Sequence, residues 1–209
     1  MKSRLLGTAI ACAICLSTTM PAGASFVLVG GTTQSLPITG NNFNAGLGAQ
    51  NFDQMTYGSQ LRVSQGGFVD FLYIGAESGF TNTIASGAHA LTEHNEAFDF
   101  SGYSGFTIAV SAGDTLNFTF TSDNVKALTP VDNFNGTNLQ GLGIVYNSSQ
   151  VGSLLQVVLG YDDQYLNDDD NHDDMMVRAD FRPVPVPLSV WLLGTGLLGM
   201  AGIGRRKQV

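Results

Sequence analysis

The sequence predicts an all-β body, an antiparallel β-sandwich with jelly-roll-like connections, framed by an N-terminal signal helix and a single C-terminal transmembrane helix. Three observations carry that expectation. Short segments rich in β-branched and aromatic residues recur along the middle of the chain, punctuated by Gly, Asn and Asp. No long amphipathic helical period interrupts them. Two uncharged apolar runs stand at the extreme ends, each beside basic residues.

Residues 1–24 read as a secretory signal peptide. Lys2 and Arg4 supply a positive start, Leu5 to Leu16 an apolar stretch, and Ala22-Gly23-Ala24 a small-x-small cleavage site before Ser25. Cys12 and Cys15 both lie inside this leader. A processed chain would hold no cysteine, which excludes disulfides and thiol nucleophiles from the body.

The body, residues 25–182, is long enough to bury one core. It opens with an Asn/Gly-rich loop, Gly40 to Gln50. Predicted strands follow at Phe68–Ile74, Phe106–Val110, Thr115–Thr121, Gly141–Tyr146, Leu154–Leu159 and Met175–Phe181. In the third of these, Leu116, Phe118 and Phe120 share one face while Thr115, Asn117, Thr119 and Thr121 share the other, as a half-buried strand requires.

All seventeen acidic residues of the chain fall in the body, against only Arg62, Lys126, Arg178 and Arg182. A domain near −13 repels nucleic acid, so no nucleic-acid partner is expected, and it attracts divalent cations. The acid is concentrated: Asp162, Asp163, Asp168, Asp169, Asp170, Asp173 and Asp174 are seven carboxylates within thirteen residues, between two apolar strands. Hard oxygen ligands at this density suit Ca²⁺, with Asp162, Asp163, Asp168, Asp170, Asp173 and Asp174 as candidate ligands. The EF-hand pattern fails, because counting from Asp168 the sixth residue is Asp173 rather than Gly and the twelfth is Ala179 rather than Glu. The competing reading is a solvated acidic loop that keeps a sheet edge soluble.

Catalytic residues are not predicted. His89, Glu93, His94 and Glu96 invite a zinc reading, but the spacing is His-x-x-x-Glu-His and matches neither zinc-hydrolase signature; a polar surface loop is the expectation. No Gly-x-Ser-x-Gly elbow appears. The Asp162/Asp163 and Asp173/Asp174 pairs could be glycosidase carboxylates, yet such pairs sit in aromatic-lined clefts and the only Trp of the chain is Trp191 in the tail.

Residues 183–209 form a three-part tail. Pro183, Pro185 and Pro187 stiffen a stalk, Leu188 to Ile203 is a run of sixteen uncharged residues, and Arg205, Arg206 and Lys207 form a basic stop. As a helix the run spans ~24 Å, short of the ~30 Å hydrocarbon core but within reach if the bilayer thins. The basic end stays cytoplasmic, so the body would face the other side. Five glycines from Gly194 to Gly204 weaken the segment as a permanent anchor.

Val184-Pro185-Val186-Pro187, then an apolar helix containing Trp191 and Gly-Leu-Leu-Gly, then Arg-Arg-Lys, resembles the PEP-CTERM sorting signal over the last 26 residues. Val186 stands where Glu is usual, as in the Val-Pro-x-Pro variants of that family. The resemblance implies an exported protein of a Gram-negative bacterium, held transiently at the inner membrane and processed by an exosortase, with Val184 to Pro187 as the recognition segment. Tyr161-Asp162-Asp163 and Asp170-Asn171-His172-Asp173-Asp174-Met175-Met176-Val177 are similar to a recurrent C-terminal pattern of exported β-domains that carry this tail. Phe71 to Asn82 and Ala112 to Phe118 are similar to that group as well. The implied role is a non-enzymatic component of the cell surface or of the extracellular polysaccharide matrix of a biofilm, with exosortase, secretion machinery and extracellular polysaccharide as partners. The alternatives are a carbohydrate-binding or adhesive module, or a polysaccharide hydrolase.

Overall fold

The computed structural model describes residue 23 and residues 25–93, 95–127, 129–163 and 171–184. Ala22, Ala24, His94, Asp168, Asp169, Asp170, Pro185, Val186, Pro187, the run from Leu188 to Ile203, and Arg205, Arg206 and Lys207 lie outside the described residues, as do the expected signal and transmembrane helices. Among the described residues, no helix is long and apolar enough to cross a membrane.

The described chain is all-β. Its strands are β1 (Phe26–Ser35), β2 (Gln54–Val63), β3 (Gly67–Gly75), β4 (Asn82–Ser86), β5 (His89–Glu93), β6 (Gly105–Val110), β7 (Thr119–Ser122), β8 (Val131–Asp132), β9 (Leu142–Tyr146), β10 (Gln156–Tyr161) and β11 (Met175–Pro183). Seven form one antiparallel sheet in the order β1-β2-β9-β10-β11-β3-β6, and four form a second in the order β5-β4-β7-β8. The two sheets close over a shared core in a sandwich-like arrangement: Val69, Phe71 and Tyr73 of β3 join Ile84 of β4, Phe120 of β7 and Val131 of β8 in one apolar cluster. Rings bridge the layers directly. Phe71 meets Phe118 edge-on at 5.8 Å, and Phe120 stacks on Tyr161 at 5.1 Å.

All six predicted strands are present, with one refinement. Leu116, Phe118 and Phe120 do point to a common core and are fully buried. The ladder, however, divides between the sheets. Thr115 bridges Arg62, and Leu116 N–H donates to Leu61 O at 3.0 Å, before β7 proper joins β4. The bend that lets β2 reach across is built from glycine. Gly31 (φ +86°) and Gly58 (φ +70°) face one another in the β1–β2 hairpin, and a Cβ on Gly31 would lie 2.6 Å from Tyr57 O.

The expected loop from Gly40 to Gln50 contains a short helix, α1 (Asn44–Ala49). Leu47 is fully buried and pins it against the outer face of the large sheet, where Met55, Ile74, Val145, Val158 and Met176 form a second core. Six residues are too few to show a helical period, so tertiary packing rather than pattern forms this turn. The second core also explains why β9 and the Val157–Tyr161 stretch of β10 are buried at every position. A strand covered on both faces loses alternation.

Two poles result. At one, both ends of the described body attach to the β2–β3 turn: Ser64 N–H donates to Ser25 O at 2.9 Å, and Val184 N–H donates to Gly66 O at 3.2 Å. At the other, β10 ends and β11 begins on either side of the aspartate run. The nine residues of β11 join the poles, a separation of ~27 Å.

Candidate functional site: the aspartate pole

The described aspartates of the run are not solvated. Asp162, Asp163 and Asp173 are each no more than 1% exposed. An ionised carboxylate at such burial requires donors or a counter-charge, and Asp163 obtains donors from three separate parts of the chain. Its Oδ2 accepts from Ser78 Oγ at 2.6 Å and from Asn82 Nδ2 at 3.0 Å. Asn124 Nδ2 reaches Asp163 O at 3.1 Å and Oδ1 at 3.4 Å. Ser78 follows β3, Asn82 opens β4 and Asn124 follows β7. One carboxylate thus ties the large sheet to the small one.

The return half of the run is held equally closely. Asp173 Oδ2 accepts from Asn42 N–H at 2.7 Å, and Glu77 N–H donates to Asp173 O at 3.0 Å. Asn42 Nδ2 also donates to Glu77 Oε2. Asn41 Nδ2 donates to Asn171 O at 2.8 Å. His172, in the left-handed region at φ 57°, donates from Nε2 to Gln140 O at 2.8 Å. The segment lies directly over the sheet because Gly160 leaves room for it: a Cβ there would be 2.2 Å from His172 O.

Asp174 completes the arrangement. Its Oδ2 accepts from Asp163 N–H at 2.7 Å. Burial pushes its carboxyl up to about 8; the Asp163 N–H opposes the rise, and the neighbouring charges of Asp163, Asp162 and Asp173 add to it. Near neutral pH this group therefore carries a proton part of the time. Asn82, fully buried, donates its amide to Asp163 and to Asp174 O at 3.2 Å, while its own Oδ1 has no hydrogen-bond partner among the described residues.

Of the six predicted metal ligands, the structure brings Asp162, Asp163, Asp173 and Asp174 to one pole; Asp168 and Asp170 lie outside the described residues. Among the described residues, no three His, Cys, Asp or Glu side chains are arranged to hold a metal ion. Asp163 Oδ2 is already occupied by two donors, which disfavours that oxygen as a ligand, nucleophile or general base. Asn82 Oδ1, aimed into the same pole, is a buried oxygen with no hydrogen-bond partner among the described residues.

The His/Glu group disperses. His89 and Glu93 lie on β5 rather than in a loop. The His89 ring stacks on Phe106 at 5.5 Å, Glu93 accepts from Ser104 Oγ at 3.2 Å, and Glu96 accepts from the Tyr73 hydroxyl. Each has a structural task with a different neighbour.

Sequence reasoning missed Ser78, Asn82 and Asn124, the partners of Asp163. They stand 39 to 85 residues away and carry no charge. The excess of Asn in the body was the available signal.

A cleft of about 430 Å³ runs along β1, from Ser25 and Leu154 at the opposite pole to Thr33 and Thr56. One wall carries hydroxyls: Thr33 and Thr56 at 2.7 Å, with Thr56 Oγ1 3.2 Å from the Tyr146 hydroxyl. Ser25, the residue after the predicted cleavage site, is buried at its edge, and its N–H donates to Ser64 Oγ at 2.9 Å. Set against protein-family models, curated proteins and solved structures, the chain has no match in any of the three.

Proposed function

We propose that this chain is a non-enzymatic exported structural protein whose leader (1–24) and sorting tail (183–209) bracket a β-sandwich of jelly-roll-like connectivity. The leader forms the signal helix and is removed before Ser25. Leu188 to Ile203 form a membrane helix that holds the chain for an exosortase reading Val184 to Pro187, and Arg205 to Lys207 fix its orientation. The body then resides at the cell surface or in an extracellular polysaccharide matrix.

The observation that carries the structural role is the use made of Asp163. In the most chemistry-bearing stretch of the sequence, the Asp163 carboxylate is an internal acceptor for side chains from both sheets. A hydrolytic pair needs carboxylates open to substrate, and Asp163 is filled by Ser78 and Asn82.

The clamp is proposed to take Ca²⁺. Asp174, Asn82 Oδ1 and the remaining aspartates of the run supply hard oxygens, and a cation would relieve the carboxylate crowding at Asp174. Calorimetry with millimolar Ca²⁺ on the intact chain and on an Asp173→Ala/Asp174→Ala double variant tests this. Heat and thermal stabilisation are expected for the former alone; neither in the former ends the calcium proposal.

A carbohydrate-binding reading draws on the hydroxyl wall of the β1 cleft. Retention on a glycan array, lost in Tyr146→Phe, would favour it over a purely structural role.

Intact-mass spectrometry of the protein from cells and from medium tests the sorting proposal. The expected species lacks residues 1–24 and has lost the apolar run. A full-length polypeptide dissolved in the cytosol would overturn it.

A further inference from the structure

Nine large apolar side chains stand exposed among the described residues. Five of them, Val27 (40%), Phe68 (42%), Val151 (66%), Leu155 (45%) and Val184 (53%), lie on strand ends and loops at the pole where the body's two ends meet. Val27 and Val151 line the same cleft. The charges nearby are of both signs: Arg182 pairs with Asp70 at 2.5 Å and Arg178 with Asp180 at 2.9 Å, Arg62 stands opposite Val27 across β1 and β2, and Asp114 lies beside the end of β2. The aspartate run lies at the far pole, ~27 Å away along β11, well beyond a Debye length of ~8 Å.

Chain connectivity names what meets this pole. Val184 is exposed, and the uncharged run begins at Leu188, four residues later. Four extended residues reach ~14 Å at most. A tail buried in a bilayer therefore holds the pole at headgroup depth, with its near-neutral apolar side down and the aspartate run pointing away.

We infer that Val27, Phe68, Val151, Leu155 and Val184 form a seat for the interfacial layer of the bilayer while the tail is inserted. The inference rests on the proposed membrane residence of the tail. Small apolar contacts of this kind add to an anchor without replacing it. They would keep the stalk close to the surface, where a membrane-embedded enzyme acts.

The test uses the leader-processed chain, residues 25–209, which holds no cysteine, reconstituted in phosphatidylcholine vesicles. An environment-sensitive fluorophore is placed on a single cysteine in turn: Val151→Cys at the seat, Val125→Cys at the far pole (97% exposed), and Leu198→Cys in the run. The seat probe is expected to shift to the blue and be quenched by nitroxide-labelled lipid, as the tail probe is, while the Val125→Cys probe stays water-like. A lipid-quenched tail probe with a water-like seat probe overturns the inference and leaves the anchor proposal standing. A tail probe that stays in water overturns both.

Discussion

The two poles of this domain solve the problem of strand ends in opposite ways. At the aspartate pole, polar side chains turn inward. Asp163 is fully buried, three side chains donate to it, and neighbouring loops are tied down through their backbones. At the chain-end pole, apolar side chains turn outward and the Arg182–Asp70 pair reaches the surface, with Arg182 60% exposed. The inward network makes the first pole rigid and intolerant of change, because a buried donor that loses its acceptor bears its full desolvation cost. The outward arrangement makes the second pole tolerant and available.

Four substitutions break or sharpen that contrast, from the largest expected effect to the smallest. Phe118→Ala removes a ring that packs against both Phe71 and Phe120 at the junction of the sheets, and denaturant unfolding should register a loss of about 3–5 kcal/mol. Asp163→Ala strands the Ser78 and Asn82 donors in the interior, and the same measurement should show a loss of roughly 3 kcal/mol. A surface-loop value near zero for Asp163→Ala would erase the difference between the poles.

Asp174→Asn has the opposite sign. The folded-state carboxyl sits at about 8, above its ordinary value of 3.8, so the stability tied to its proton is complete below that ordinary value and is lost as pH rises through 8. The Asn variant keeps an acceptor for Asp163 N–H but has no charge to bury. In metal-free buffer it should melt above the parent at pH 8, by an amount of order 1–2 kcal/mol, and the gain should shrink toward pH 5. Saturating Ca²⁺ should cancel or reverse the gain if the clamp holds the ion. Arg182→Ala at the other pole removes an exposed pair and a guanidinium 5.7 Å from the Phe68 ring centroid, and its melting temperature near neutral pH should differ little from the parent's. Whatever small difference there is should vanish in acid, since the Arg182 hydrogen bond holds the Asp70 carboxyl below its ordinary range and the stability tied to that shift is lost as pH falls through the folded-state value.

The same contrast decides what could be read from the sequence. The strands built on one buried face were legible: β3 places Val69, Phe71 and Tyr73 inward and Phe68, Asp70 and Leu72 outward in strict alternation. β1 was not, because Gly30-Gly31 interrupts it and nearly all of its side chains lie outside the core. α1 was hidden by its brevity. The aspartate run was visible as composition, but its burial was not. Nothing local distinguishes a solvated acidic loop from one whose neutral partners, Ser78, Asn82 and Asn124, arrive from β3, β4 and β7 through the tertiary fold. The sequence pattern also assigned His89 and Glu93 to a loop, whereas pairing with β4 and stacking on Phe106 make them part of β5.

Hydrogen–deuterium exchange of the folded chain tests the inward clamp most directly. The amides of Asp162, Asp163 and Glu77, which donate to Gly141 O, Asp174 Oδ2 and Asp173 O, should exchange as slowly as those of β10 and β11. Exchange of these three at the rate of an open loop, with the strands still protected, would contradict it and return the aspartates to solvent.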